Sequence, residues 1–74
     1  MTNKITKFYK LGRNIAKYRK QRGLSQNKLA ELLDVTREHI GNIEIGAKTP
    51  TMALLFKIAQ ILEVKEKDLF DFEE

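Results

Sequence analysis

Ser25 and Thr36 are two helix-start signals with room for only about two turns of helix between them. Each hydroxyl can accept a hydrogen bond from a backbone N–H one turn on. A hydrophobic staple brackets each cap, Leu24 with Leu29 and Val35 with Ile40. Leu33-Asp34-Val35 forms a tight turn between them. Two short helices joined in this way must cross steeply, so the second projects from the body of the fold. The crossing needs a small residue where the helices meet, and Ala30 supplies it. The turn needs a residue tolerant of positive φ, and Asp34 supplies that. Leu29, Leu33, Val35, Ile40 and Ile43 would lock the pair from inside.

The rest of the chain is also helical in pattern. Phe8, Leu11, Ile15 and Tyr18 make one apolar stripe, which predicts a first helix over residues 8–22 with Gly23 as its C′ residue. In the second helix Leu32 is expected inside with Leu29 and Leu33. The third helix is expected to end near Ile45-Gly46, followed by a loop, Ala47-Lys48-Thr49-Pro50. Thr51 caps a fourth helix carried by Leu54, Leu55, Ile58, Ala59 and Leu62. Residues 65–70 read as a short fifth helix, and Asp71-Phe72-Glu73-Glu74 as an acidic tail. No segment alternates like a strand for long. The expectation is an all-α, compact five-helix bundle. The 74 residues suffice for one small domain, with residues 1–7 as a basic extension.

Charge narrows the class of partner. Residues 1–37 carry ten basic and two acidic side chains, a balance of +8; residues 38–74 carry four basic and eight acidic, a balance of −4. A basic pole favours a polyanion. The chain has no cysteine, so neither disulfides nor thiolate metal sites contribute. The N-terminus lacks the apolar run of a signal peptide, and no stretch approaches the ~20 apolar residues of a membrane span. A cytoplasmic, nucleoid-associated location is expected. Glu31, Asp34, Glu38 and Glu44 have the spacing of solvated helix faces, so catalysis is not expected. His39 is the only histidine and cannot hold a metal alone. No cofactor or small-molecule ligand is indicated. Lys10, Arg13 and Lys17 read as a solvated face.

Residues 11–70 resemble the lambda-repressor-like family, also called the Cro/C1 or xenobiotic-response-element family. The resemblance rests on Gly23-Leu24-Ser25-Gln26 entering the second helix and on Ile40, Ile43-Glu44 and Gly46 closing the third. It continues through Lys48, Pro50-Thr51 and Leu54 to Val64. It implies a helix-turn-helix at helices 2 and 3, double-stranded DNA as partner, and the third helix reading the major groove. Carried over by position, Thr36, Arg37, Glu38 and Asn42 would meet base edges. Arginine suits guanine, asparagine suits adenine, glutamate a cytosine amino group, and the threonine methyl a thymine methyl. The missing side chain of Gly41 would let the helix approach closely.

The resemblance also implies phosphate contacts from Gln26, with Asn27 and Lys28 beside it, and from Lys48 and Thr49; His39, by its residue type, reads as exposed or as a further phosphate contact. Such contacts set register without reading sequence. Arg19 and Glu44 are implied as a structural ion pair. Three positions depart from the family pattern. Asp34 stands where glycine or asparagine is commoner. Lys28 stands where glutamate often completes a capping box. Glu38 places an acid on a surface facing phosphates.

Tyr9, Phe56, Leu69, Phe70 and Phe72 look surplus to one small core. Family members often pair through the fifth helix, so a homodimer is expected, with Leu69, Phe70 and Phe72 as interface candidates. The function expected is a sequence-specific transcriptional regulator, a prokaryotic or phage repressor on a pseudo-palindromic operator. The alternative is an interaction module of the same fold, antitoxin-like or serving a DNA-modifying enzyme, with DNA contact secondary.

Overall fold

In the computed structural model five helices follow one another: α1 (Asn3–Gln21), α2 (Gln26–Leu33), α3 (Arg37–Glu44), α4 (Met52–Leu62) and α5 (Glu66–Leu69). The structure describes residues 3–72, with side chains from Lys7 onward. Among the described residues there is no strand. The first helix begins at Asn3 rather than Phe8, so residues 3–7 belong to α1 rather than to an extension. Residues 1–2 of that extension and residues 73–74 of the expected acidic tail lie outside the described residues.

Side-chain caps start the middle helices as their sequences require. Ser25 Oγ accepts from the Lys28 backbone N–H at 3.0 Å, Thr36 Oγ1 from His39 at 3.0 Å, and Thr51 Oγ1 from Leu54 at 3.1 Å. Each hydroxyl satisfies an N–H that the helix itself leaves unpaired. At the start of α5 the Asp68 carboxylate instead accepts from the Lys65 backbone N–H at 3.1 Å.

Four helices stop in one way. The N–H groups of Leu24, Val35, Ala47 and Val64 reach back to the carbonyls of Arg19, Ala30, Asn42 and Ala59, at 3.1, 3.0, 2.8 and 3.0 Å. This closing bond requires the preceding residue to be left-handed. Gly23, Asp34, Gly46 and Glu63 hold that conformation, with φ of 72°, 60°, 81° and 60°. Leu24, Val35 and Val64 then pack back against the core. Each stop therefore also sets the angle at which the next segment leaves.

The core draws on every helix. Ile15, Leu29, Ile40, Ile43, Ile58, Leu62 and Leu69 are fully buried, with Leu11, Leu33, Leu55 and Ala59 around them. Leu32 does not join them. It is 48% exposed, because α2 buries only the face carrying Leu29, Ala30 and Leu33. Gly12 marks the closest approach of α1 to α3. A Cβ there would lie 2.4 Å from the carbonyl oxygens of Ile43 and Glu44, so no other residue fits without movement. Asn14, on the opposite side of α1, donates from Nδ2 to the carbonyls of Leu69 and Asp71 at 2.9 and 3.3 Å. That fastens the C-terminal segment to α1.

Candidate nucleic-acid interface

The pair α2–α3 has the tight connection that the sequence requires, with only Asp34, Val35 and Thr36 between the helices. Ala30 and Leu33 are buried at the crossing, and Asp34 turns the chain at φ 60°. Ile40 and Ile43 anchor the inner face of α3, each 1% exposed. The N-terminal end of α3 is consequently turned outward, and Thr36, Arg37 and Glu38 are exposed together. Gly41 and Asn42, one turn later, are half-buried. A Cβ on Gly41 would meet only the Gln26 side-chain oxygen, at 3.8 Å, so the helix backbone there is open to close approach.

The residues expected against phosphates lie in three places: the first turn of α2, His39 within α3, and the segment that follows α3. Asn27 and Lys28 are exposed at the start of α2, while Gln26 and His39 are half-buried. Lys48 and Thr49 are exposed in the segment after α3, which is held by Ala47 and Lys48 N–H groups donating to the Asn42 carbonyl at 2.8 and 3.1 Å. Lys28 does not complete a capping box. Its ammonium instead lies 3.3 Å from Glu31 one turn on, in an exposed pair of little energetic weight.

Arg19 and Glu44 form the expected ion pair. Arg19 Nε donates to Glu44 Oε2 at 2.6 Å and Nη2 to Oε1 at 3.1 Å, while Nη1 donates to the Leu24 carbonyl at 2.8 Å. The guanidinium thus binds α1 both to the end of α3 and to the entry of α2. Gln26 extends this network outward. Its Nε2 donates to Glu44 Oε1 at 2.9 Å, and its Oε1 accepts from Arg37 Nη1 at 3.2 Å. Among the described residues no buried side-chain polar atom lacks a partner. The link from Glu44 to Gln26 had no local sequence signal, since it joins residues from different helices.

The candidates for a partner surface divide. Leu69 is fully enclosed within its own chain, so it belongs to the core and offers no interface. Phe72 is half-buried and packs back on that core, edge-to-face with Phe70 at 6.3 Å between ring centroids. Phe70 remains 46% exposed. It stands on an apolar groove lined also by Phe8, Pro50, Met52 and Leu55. Among the described residues no acid or histidine cluster could hold a metal ion, and no helix is long and apolar enough to cross a membrane.

Comparison with known proteins agrees with this geometry. The model of a helix-turn-helix family, HTH_3, matches residues 15–69. The HTH-type transcriptional regulator SlrR of Bacillus subtilis is 41% identical over 64 residues, which cover 85% of this chain and 42% of SlrR. An uncharacterized HTH-type transcriptional regulator of Methanocaldococcus jannaschii is 42% identical over 57 residues, covering 77% of this chain and 86% of that protein. The chain therefore spans less than half of SlrR and most of the archaeal relative. The restriction-modification controller protein C.AhdI of Aeromonas hydrophila superposes with a TM-score of 0.80 at 30% identity, over 85% of this chain and 96% of that one. The master regulator for biofilm formation SinR, in complex with DNA, superposes with a TM-score of 0.76 at 34% identity, over 82% of this chain and 98% of that one.

Proposed function

The chain belongs to the helix-turn-helix family HTH_3, whose relatives here are transcriptional regulators, and on that footing we propose that it is a sequence-specific double-stranded DNA-binding repressor. One observation carries this reading. The outer end of α3 presents Thr36, Arg37 and Glu38 around an unobstructed Gly41, while its inner face is locked by Ile40 and Ile43. A helix so mounted can enter a major groove as a rigid probe. Arg37 pairs with the O6 and N7 acceptors of guanine, and Asn42 reads adenine beyond it. Glu38 accepts from cytosine and repels other arrangements. Asn27, Lys28, His39, Lys48 and Thr49 hold the two phosphate backbones to either side, together with the second amide hydrogen of Gln26.

A single such helix covers few base pairs. We infer a homodimer on a pseudo-palindromic operator, with half-sites about one DNA turn apart. Phe70 and Met52, exposed beside the apolar groove, are the residues that pairing would cover. Work in the cytoplasm, on the nucleoid, follows from the proposed target.

Titration of a labelled operator tests the proposal. Affinity should fall steeply as salt rises, because displaced counterions contribute most of the binding. Arg37→Ala and Asn42→Ala should abolish discrimination between operator and random DNA while circular dichroism stays unchanged. Salt-independent binding, or full discrimination in both variants, refutes it.

A further inference from the structure

Lys10, Arg13 and Lys17 read in the sequence as a solvated face. In the structure they form one wall of a cleft of about 190 Å³, with Asp71 and Phe72 opposite. Cations three or four residues apart on one helix face repel one another and weaken the helix. Among the described residues no carboxylate forms an ion pair with any of the three. A local conflict left uncompensated in this way is expected where a site serves a function.

The walls of the cleft are held in place. Asn14 donates from Nδ2 to the Leu69 and Asp71 carbonyls at 2.9 and 3.3 Å, which fixes the C-terminal segment against α1. Lys17 Nζ stands 4.9 Å from the centre of the Tyr18 ring, and that attraction keeps its charge at the cleft. Asp71 is exposed, so its carboxylate can turn to water. Three cations against one acid make a seat for an anion. Arginine pairs bidentately with phosphate oxygens, and the lysines add point charge. Pockets for drug-sized ligands start near ~300 Å³, so the occupant is compact. Phe72 also lines the apolar groove on which Phe70 stands, so cleft and groove share a wall.

We propose that this cleft binds the phosphate group of a small molecule, and that its occupancy favours pairing of two chains. The second half rests on the pairing reading above. The cleft lies on the α5 side of α1, whereas α3 meets α1 on the Gly12 side, so its occupant is distinct from the duplex held by α3. A phosphate there lowers the +4 charge of each chain, and with it the repulsion between copies. It also steadies residues 70–72, so less freedom is lost when Phe70 is covered.

Inorganic pyrophosphate is the probe, added to the full chain at constant ionic strength with chloride as the reference. Backbone NMR signals of residues 10–18 and 70–72 should shift and saturate. The double variant Arg13→Gln with Lys17→Gln should weaken that binding about tenfold or more. Lys20→Gln, on the same helix but outside the cleft, should leave it unchanged. All three positions are exposed, so the fold is retained. Shifts that never saturate, or an equal loss in Lys20→Gln, mean an adventitious ion only and overturn the site. Displacement of pyrophosphate by the operator would assign these cations to the DNA backbone and overturns it too.

Sedimentation equilibrium reads the second half. Pyrophosphate should move the parent chain toward dimer and leave the double variant without a response. A dimerisation constant unmoved by saturating pyrophosphate overturns the coupling and leaves the site. A chain that stays monomeric throughout removes the pairing reading, and the coupling with it, while the saturable shifts at the cleft stand.

Discussion

Arg19, on α1, and Glu44, the last residue of α3, share two hydrogen bonds at 2.6 and 3.1 Å with side chains only 9% and 4% exposed. Breaking such a pair leaves one charge buried without its partner. Arg19→Met should therefore cost about 3–5 kcal/mol in unfolding free energy by denaturant titration. The exposed Arg22–Glu63 pair, at 2.7 Å, provides the control. Water and salt screen it, so Arg22→Ala should cost no more than about 1 kcal/mol. Equal losses at the two sites would contradict the importance of burial.

Gly12 and Gly41 should respond in opposite directions to alanine. At Gly12 the new methyl collides with the Ile43 and Glu44 carbonyls, and backbone cannot yield as a flexible side chain would. Gly12→Ala should destabilise by about 1–3 kcal/mol or more through overpacking. At Gly41 there is space, so Gly41→Ala should stabilise the free protein by roughly 0.5–1 kcal/mol through helix propensity. The same methyl should weaken operator binding. Thermal melts and binding titrations on the two variants separate packing from recognition.

Leu69 and Phe70 are neighbours with different tasks. Leu69→Ala should lose about 2–5 kcal/mol of stability, because it opens a cavity under α5. Phe70→Ala should leave folding nearly intact and reduce self-association, measured by sedimentation equilibrium. Unchanged association in Phe70→Ala would exclude it from the pairing surface.

Asp34 holds a left-handed turn conformation that a side chain makes unfavourable. Asp34→Gly relieves that cost but adds freedom to the unfolded chain, so stability should rise by no more than about 1 kcal/mol. The α2–α3 geometry should be unchanged, as judged by operator affinity.

The sequence made the local features legible and left the long-range ones hidden. Ser25, Thr36 and Thr51 identify themselves as caps because the group they bond is three residues away. Gly23, Asp34 and Gly46 could be read as left-handed stops, whereas Glu63 could not, since glutamate carries no turn signal. Leu32 looked internal because leucines at 29, 32 and 33 share a helical spacing, yet the short α2 buries a narrow stripe. α1 starts five residues before Phe8, in a stretch where Ile5 alone continues the apolar spacing, so the sequence pattern marks that start weakly. Leu69 looks surplus in the sequence, yet α1 and α4 pack against α5 and Leu69 is enclosed. The expected recognition residues Thr36, Arg37 and Glu38 do emerge as one exposed cluster. The Arg19–Glu44 pair came from family resemblance, while its extension through Gln26 to Arg37 depends on helices distant in sequence.

Selection of bound sequences from a random duplex pool tests the central claim most directly. The account predicts enrichment of a pseudo-palindrome with half-sites about one helical turn apart, each carrying a guanine that Arg37→Ala no longer selects. Recovery of no common sequence by the folded protein, or the same sequence from Arg37→Ala, would contradict it.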